Sequence, residues 1–411
     1  MNIAVIGAQW GDEGKGKIVD FLASEGDVIV RFSGGANAGH TIVHGESVYK
    51  LHLVPSGVIY ADKEVALGSG MVIDPAALFS ELATLKEAGV SWRGRVFVSD
   101  RAHIVVPRYR EMDKSMDEKR ILPIGTTGRG IGVAYAQKAS RDGVRIADLF
   151  DPKMFSRLPK ADRDYVEPYL EDLREMSGDL VTYMHERKGR RILMEGAQGV
   201  LLDLDLGTYP FVSSGMSGAA GASLGGGIGP RQLDGIMGVF KAYSTHVAHG
   251  PFATEFPETT HNGLTELVRE LGNEYGVTTG RPRRCGYLDL VALRYACLSN
   301  AFDALTLTHL DVYDTLEEIQ ACTAYKIDGK IVTSFPARLS DLENAEPVLE
   351  SFPGWRTPIT NIKQWEELPK NARDYVAAIE GYVETPVDII SVGSDREHTI
   401  LRENPWTRFS S

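Results

Sequence analysis

Short β-type runs alternate with helical patterns along the whole chain, and this alternation limits the possible folds more than any other feature. The runs cover residues 3–6, 28–32, 65–67, 96–99, 192–195, 236–239, 305–310 and 387–392. Alternating strands and helices predict an α/β fold with a large, mostly parallel, doubly wound sheet, whose ligands bind beyond the carboxyl ends of the strands. Glycine-rich loops lie beside these runs, which indicates ligand loops on a regular scaffold.

Two helices are predicted in detail. Asp74 and Pro75 form an N-cap and first-turn pair, and the helix that follows them is expected to stop at Gly89. Residues 162–188 carry apolar side chains at helical spacing and end in basic residues and a glycine. This pattern predicts one long amphipathic helix.

The whole chain, residues 1–411, is predicted to form one domain, because it contains no fixed-period repeat and no proline- or serine-rich linker. We expect a mainly helical insertion at about residues 100–190 and an appended C-terminal part at about residues 330–411. Both are interpreted as additions to the central sheet.

Charge and cysteine content exclude several classes of partner. The net charge is −12, whereas nucleic acids and anionic membranes need a broad positive surface. No apolar stretch approaches the roughly 20 residues that a bilayer crossing needs, and the amino terminus does not resemble a secretion signal. Cys285, Cys297 and Cys322 are too few and too widely spaced for a disulfide framework, so reduced thiols and a cytoplasmic location are expected.

The loop after the first run, GAQWGDEGKGK at residues 7–17, has the order strand, glycine loop, helix that makes an anion cradle. Lys15 and Lys17 add positive charge there. The loop satisfies the first part of the P-loop pattern, but Ile18 stands where a hydroxyl would hold Mg²⁺. Asp12 and Glu13 are therefore the candidate metal anchors. A carboxylate among phosphates is repelled unless it meets a cation or accepts a proton.

A second glycine loop, SGGANAGHTIVHG at residues 33–45, follows the run at 28–32 and contains His40. If the two loops extend from neighbouring strands, Asp12 can act as a base while His40 donates a proton to a phosphoryl group.

Nine segments occur together in an order typical of one protein family: QWGDEGKGK (9–17), SGGANAGHT (33–41), GTTGRGIG (125–132), EGAQG (195–199), GTYPFVSS (207–214), GPR (229–231), KAYSTHV (241–247), GPF (250–252) and VDIISVG (387–393). On these motifs the chain resembles the adenylosuccinate synthetase family over essentially its whole length. The resemblance implies a GTP-dependent ligase of the AMP branch of purine biosynthesis. Such an enzyme joins L-aspartate to position 6 of IMP through a 6-phosphoryl intermediate, giving adenylosuccinate, GDP and phosphate.

The resemblance also implies catalytic roles. Asp12 would remove the N1 proton of IMP, His40 would act as an acid on the transferred phosphoryl group, and Lys15 would stabilise its charge. Mg²⁺ would bind Asp12 and the carbonyl of Gly39. Asp20 either orients His40 or is a surface carboxylate of the first helix.

The implied binding residues fall into three groups, and the C-terminal part of the chain would complete the nucleotide site. The purine monophosphate would contact Asn37, Thr127, Arg141, Gln198, Ser213 and Arg281. Aspartate would contact Thr278, Thr279, Arg281 and Arg283. GTP would contact Gly11, Glu13, Gly14, Gly16, Lys17, Thr41, Arg283, His309, Asp311, Ser391 and Gly393. Arg141 would reach the monophosphate of a second subunit, which implies a homodimer.

Four positions depart from the family pattern. His309 replaces the usual lysine of the guanine-recognition segment, Ser213 opens an altered stretch in place of threonine, Pro282 replaces an arginine and Val133 a proline. These departures leave alternatives open. One is the same chemistry on another purine monophosphate, such as dGMP or an IMP analogue, or with ATP as donor. The other is a nucleotide-binding regulatory GTPase or an inactive paralogue.

Overall fold

The computed structural model describes residues 1–44, 47–247, 249–257, 263–276 and 280–410. The strands in these ranges are β1 Asn2–Gly7, β2 Val28–Gly34, β3 His40–His44, β4 Ser47–Leu51, β5 Glu64–Ile73, β6 Val96–Ser99, β7 His103–Ile104, β8 Ser177–Gly178, β9 Ile192–Glu195, β10 Gly235–Lys241, β11 Ser244–His246, β12 Arg284–Gly286, β13 Leu288–Asp289, β14 Ala304–Thr308, β15 Glu318–Ile327, β16 Lys330–Val332, β17 Glu346–Pro353, β18 Val387–Ser391 and β19 Thr399–Leu401. The helices are α1 Lys15–Ala23, α2 Pro75–Glu87, α3 Pro107–Glu118, α4 Ile131–Ser140, α5 Pro152–Phe155, α6 Lys160–Val166, α7 Leu170–Met176, α8 Leu180–Glu186, α9 Ala219–Gly226, α10 Leu264–Leu271, α11 Leu290–Asn300, α12 Leu339–Glu343, α13 Lys370–Val383 and α14 Pro405–Arg408.

One large sheet organises the molecule, in the order β19-β18-β14-β10-β1-β9-β2-β5-β6-β8, with β7 paired to β5. Every pairing in it is parallel except β18 with β19. The prediction of a mostly parallel α/β fold is confirmed. The carboxyl ends of β1, β2, β9, β10 and β14 therefore meet along one edge, and the predicted ligand loops begin there.

Both faces of the sheet are buried, which explains why its strands read as mostly apolar runs. In β1, Ala4 and Ile6 pack into one hydrophobic core while Ile3 and Val5 pack into the other. Each core is covered by helices, so the strands have no solvent face.

Helix α2 begins as predicted. The Asp74 carboxylate accepts hydrogen bonds from the backbone N–H groups of Ala76 and Ala77, and Pro75 occupies the first turn. The helix ends at Glu87, and Gly89 follows in a left-handed conformation with φ 84°.

The prediction of one long helix over residues 162–188 is wrong. The segment forms α6, a single 3₁₀ turn, α7, the short strand β8 and α8. Pro168 lies in the 3₁₀ turn, where it has no N–H to continue a helical ladder. Asp179 then caps α8 by accepting from the Thr182 N–H. The apolar spacing continued because buried residues of α6 and α7 pack into the same core.

Between β7 and β9 the chain is mainly helical, and β8 from this segment pairs with β6 at the edge of the main sheet. In the C-terminal part, β18 pairs with β14. The proposed division into an insertion and an appended part stays a prediction. Within the described ranges, no helix is long and apolar enough to cross a membrane.

Candidate active site

A cavity of about 460 Å³ opens beyond the carboxyl ends of β1, β2 and β9. Its lining brings together most of the predicted site residues: Gly11, Asp12, Gly14, Lys15, Gly16, Lys17, Asn37, Gly39, His40, Thr41, Thr127, Gln198, Ser213 and Arg283. The predicted residues outside this lining are Glu13, Arg141, Arg281, His309, Asp311, Ser391 and Gly393. Thr278 and Thr279 lie outside the described residues.

The phosphate loop bends through three left-handed residues before α1 begins. Gly11 has φ 85°, Asp12 has φ 57° and Gly14 has φ 82°. Gly14 is the residue that precedes the first turn of α1, so the positive end of that helix faces the cavity. The loop therefore has the geometry expected of an anion site.

Glu13 holds this loop together from inside. Its carboxylate is fully buried, accepts from the backbone N–H groups of Gln9 at 3.1 Å and Gly11 at 2.9 Å, and pairs with the Lys15 ammonium. A side chain at Gly7 would put its Cβ 2.5 Å from a Glu13 oxygen, so this approach needs glycine. Of the two acidic loop residues, Asp12 is therefore the one whose side chain lines the cavity.

Asp12 lies beside Arg283, which belongs to the arginine loop at residues 276–286. Its Oδ2 is 3.0 Å from Nε of Arg283, and its side chain is 34% exposed. Arg283 also donates from Nη1 to Glu274 at 2.7 Å. The guanidinium thus bridges the acidic residue of the phosphate loop and a second, buried carboxylate.

Glu195 is the carboxylate that contacts His40. Nδ1 of His40 is 2.5 Å from Oε1 of Glu195, which ends β9 and is fully buried. Ser56 donates to Glu195 from its N–H at 2.8 Å and from its hydroxyl at 3.1 Å. Burial alone would raise the pKa of Glu195, but the His40 imidazole and the Arg31 guanidinium lower it. The carboxylate accepts a hydrogen bond from Nδ1 and so keeps the hydrogen of the His40 imidazole on that nitrogen. Nε2 is therefore the nitrogen available for proton transfer with a substrate.

Neither hypothesis about Asp20 describes its position. Asp20 is 1% exposed, so it is not a surface carboxylate. Its Oδ1 accepts from the Tyr60 hydroxyl at 2.6 Å, and its other oxygen is 3.9 Å from Nε of Arg396. The sequence offered a signal for the true partner of His40, because Glu195 ends a predicted strand and precedes a glycine loop.

We expect Glu195→Gln to lower kcat by about tenfold or more, because an amide can donate to Nδ1 and so favour the wrong imidazole tautomer. Steady-state kinetics at saturating substrate would measure the loss. KM values should change little, because Glu195 lies behind His40 and outside the cavity lining. A kcat equal to that of the unmodified protein would contradict the orienting role.

The predicted guanine-recognition segment joins the phosphate loop through Thr308, whose hydroxyl donates to the Glu13 carbonyl at 2.6 Å. The strand predicted to reach residue 310 ends at Thr308, because His309 turns the chain with φ 57°. Asp311 follows in a short 3₁₀ turn, and burial raises its pKa to about 6.

Lys17 connects the phosphate loop to the end of β18. Its ammonium donates to the Ser391 hydroxyl at 2.6 Å and to the carbonyls of Gly393 at 2.8 Å and His398 at 2.9 Å. Burial lowers the Lys17 pKa to about 8, although Asp311 opposes the shift. Lys17, Ser391 and Gly393, all predicted to bind GTP, thus form one group.

Two predicted arginines lie apart from the cavity. Arg141 ends α4 in a left-handed conformation with φ 70° and is exposed. Arg281 is exposed beside Gly280, and its carbonyl accepts from the Gly276 N–H at 2.8 Å.

Comparison with known proteins agrees with this geometry. The sequence profile of one family, described as adenylosuccinate synthetase, matches residues 4–400. The chain belongs to the adenylosuccinate synthetase family. The resemblance drawn from the motifs is therefore confirmed. An adenylosuccinate synthetase of Desulforamulus reducens is 45% identical over 428 residues, which cover 98% of this chain and 99% of the relative. One from Synechococcus elongatus is 44% identical over 430 residues, covering 98% and 96%.

Solved structures give the same result. The structure of fully ligated adenylosuccinate synthetase from Plasmodium falciparum matches with a TM-score of 0.91 and 38% identity, covering 98% of this chain and 99% of that one. The cyanophage S-2L succinoaminodeoxyadenylate synthetase, bound to dGMP and dATP, matches with a TM-score of 0.64 and 19% identity, covering 99% of both chains. The second match shows a shared fold alone.

Proposed function

We propose that this protein is a GTP-dependent ligase that joins L-aspartate to position 6 of IMP, producing adenylosuccinate, GDP and phosphate. The observation that carries the proposal is one cavity in which a carboxylate of a phosphate loop, Asp12, is accompanied by an oriented histidine, His40. Family membership supports the same activity. A nucleotide switch would need neither this acid and base pair nor an arginine loop beside it.

The positions of these groups support the following course for the reaction. Asp12 takes the N1 proton of IMP, so that the 6-oxygen can attack the γ-phosphorus of GTP and release GDP. His40 donates from Nε2 to the transferred phosphoryl group, and Lys15 adds positive charge beside it. The amine of aspartate then attacks C6 and displaces phosphate. Catalysis rests on positioning and electrostatic stabilisation, as phosphoryl transfer generally does.

Mg²⁺ fits the donors that the cavity offers. The described residues hold no group of three or more His, Cys, Asp or Glu side chains suited to a metal ion. Mg²⁺ needs no such cage, because it commonly binds one or two carboxylates together with substrate phosphates and water. Asp12 and the Gly39 carbonyl would hold it. When bound, Mg²⁺ would neutralise charge on the phosphates.

The purine monophosphate is proposed to bind Asn37, Thr127, Gln198, Ser213 and Arg281. Asn37 supports this assignment, because its Oδ1 is buried at the cavity and has no hydrogen-bond partner among the described residues. A buried acceptor of this kind is costly unless a ligand donates to it. Arg141 is proposed to reach the monophosphate of a second subunit in a homodimer, which agrees with its exposure away from the cavity.

Aspartate is proposed to bind Thr278, Thr279, Arg281 and Arg283, because forked guanidinium donors match its two carboxylates. The phosphates of GTP are proposed to bind the loop from Gly11 to Lys17 and Thr41. The guanine base is proposed to bind Asp311 and His309, with Ser391 and Gly393 beside Lys17. A carboxylate accepts from the N1–H and 2-amino groups of guanine, whereas adenine offers no such pair.

A substrate panel tests the proposal. Protein is incubated with Mg²⁺, aspartate and either IMP or dGMP, each with GTP and with ATP, and ultraviolet absorbance follows product formation. We expect adenylosuccinate from IMP and GTP, and none without aspartate. Failure with both donors would contradict the ligase assignment, and a strong preference for dGMP or ATP would support the paralogue alternative.

Binding of the nucleotide is expected to weaken as pH rises. Because the Lys17 pKa is lowered to about 8, the free protein loses this positive charge above that pH. The dissociation constant for GDP should rise roughly fourfold between pH 7 and 8.5, in step with the falling protonated fraction. Calorimetry at pH 8 in two buffers of different ionisation enthalpy should also report proton uptake. A dissociation constant that stays flat over this range, without proton uptake, would contradict the prediction.

A further inference from the structure

A fully buried carboxylate, Glu274, lies at the base of the arginine loop and is 1% exposed. Glu274 holds Arg283 by two hydrogen bonds. Its carbonyl accepts from the Arg283 N–H at 2.8 Å, and its Oε2 accepts from Arg283 Nη1 at 2.7 Å. Tyr275 and Pro282 pair between these two positions. The place of Arg283, the residue proposed to meet aspartate, is thus set by Glu274.

The other oxygen of Glu274 faces the sheet. Oε1 accepts from the Tyr243 hydroxyl at 2.6 Å and from the Lys241 ammonium at 2.7 Å. Neither Lys241 nor Tyr243 has exposed surface. Burial alone would raise the pKa of Glu274, but Lys241, His309 and Arg283 lower it to about 2, so the group stays ionised.

Tyr243 extends this network of hydrogen bonds to His309, which is proposed to bind the base of GTP. Its oxygen is 3.3 Å from Nδ1 of His309, and the two rings meet edge to face with centroids 5.7 Å apart. A hydroxyl has one hydrogen, which Tyr243 gives to Glu274, so Nδ1 of His309 must be the donor. Nε2 of His309 is then an acceptor, and it lies 3.7 Å from the position of a Cβ built on Gly14 in the phosphate loop.

We propose that Glu274 is a positioning residue that couples the two substrates. One of its oxygens holds Arg283, which is proposed to bind aspartate. The other oxygen is linked through Tyr243 to His309, which is proposed to bind the nucleotide base. This inference rests on the proposed function, because it needs aspartate at Arg283 and the nucleotide base at His309. A nucleotide base that binds His309 strengthens the hydrogen bonds through Tyr243 and so fixes the position of Arg283. Each substrate then lowers the dissociation constant of the other by the same factor.

The test uses the dead-end complex of the full chain with IMP, Mg²⁺ and aspartate, measured by calorimetry with and without GDP. We expect GDP to lower the dissociation constant of aspartate by about tenfold, within the usual range of coupling between sites. Tyr243→Phe keeps the buried ring but removes the hydroxyl. It should reduce this factor to about twofold or less, while affinity for aspartate without GDP stays nearly the same.

Glu274→Gln should lose both the coupling and affinity for aspartate, and it should raise the KM for aspartate more than it lowers kcat. Because this change leaves two buried cations without their carboxylate and can prevent folding, Tyr243→Phe decides the matter. Glu266→Gln is the matched control, since it makes the same change at an exposed position of α10 and should keep the coupling.

Two results would overturn the inference: coupling that survives intact in Tyr243→Phe, or no coupling in the unmodified protein. Both differ from failure of the proposed function, which is judged first by whether the unmodified protein makes adenylosuccinate. If Tyr243→Phe unfolds at nearly the same temperature as the unmodified protein, a loss of coupling in this variant does not come from a damaged core.

Discussion

Asp12→Asn is expected to lower kcat by about 100-fold or more while the protein folds normally. An amide cannot take the N1 proton of IMP, and it is a poorer ligand for a divalent cation. Asparagine tolerates the left-handed backbone at this position, φ 57°, as well as aspartate does, so the phosphate loop should keep its shape. Steady-state turnover with IMP, GTP and aspartate measures the effect, and thermal unfolding checks the fold.

Asp328→Asn provides a matched control. Asp328 is exposed, has φ 49° and lies in the turn between β15 and β16, outside the cavity. The same substitution in the same backbone conformation should leave kcat unchanged there. If Asp12→Asn kept the turnover of this control, Asp12 would be neither the base nor a metal ligand, and the proposed mechanism would fail.

His40→Asn is expected to reduce kcat by about 100-fold or more as well, because an asparagine amide does not donate a proton at neutral pH. The fold should survive, since the amide can still donate to Glu195 at the position that Nδ1 now occupies. Single-turnover measurements with IMP and GTP would locate the loss in phosphoryl transfer, whereas the binding of IMP should change little.

His185→Asn is the control for this second prediction, because His185 is exposed on α8 and lies outside the cavity lining. It should keep full turnover. A normal rate of GDP formation in His40→Asn, with a defect only in the later attack by aspartate, would assign His40 to the second step and contradict its role as the acid on the transferred phosphoryl group.

Much of the fold could be predicted from the sequence, because the physical signals there are local. The runs of β1, β2, β9 and β10 are mostly apolar, as is typical of strands buried on both faces. The phosphate loop and the loop with His40 follow two of these strands. Placing both at one edge required only that parallel strands end on the same side.

The pairings between site residues could not be predicted, because they join distant parts of the chain, even where one partner carried a local signal, as Glu195 did. Glu195 reaches His40 across 155 positions, and Lys241 reaches Glu274 across 33. Glu274 lies in the polar stretch GNEYG, which carries no sign of burial. The long helix failed for a related reason. Periodicity reports which face is buried, and short helical pieces can keep a buried face across their breaks: α6 and α7 bury theirs in one core, and α8 buries its own in the other.

The internal carboxylate of the phosphate loop has a consequence for how ligands arrive. The backbone N–H groups of Gln9 and Gly11 already donate to Glu13, so they do not need an anion to satisfy them. The charge of Glu13 is balanced by Lys15. The cradle is thus assembled in advance, and a polyphosphate that reaches it does not have to order the chain around itself. Association then loses little configurational entropy at this point, which favours rapid capture of the nucleotide.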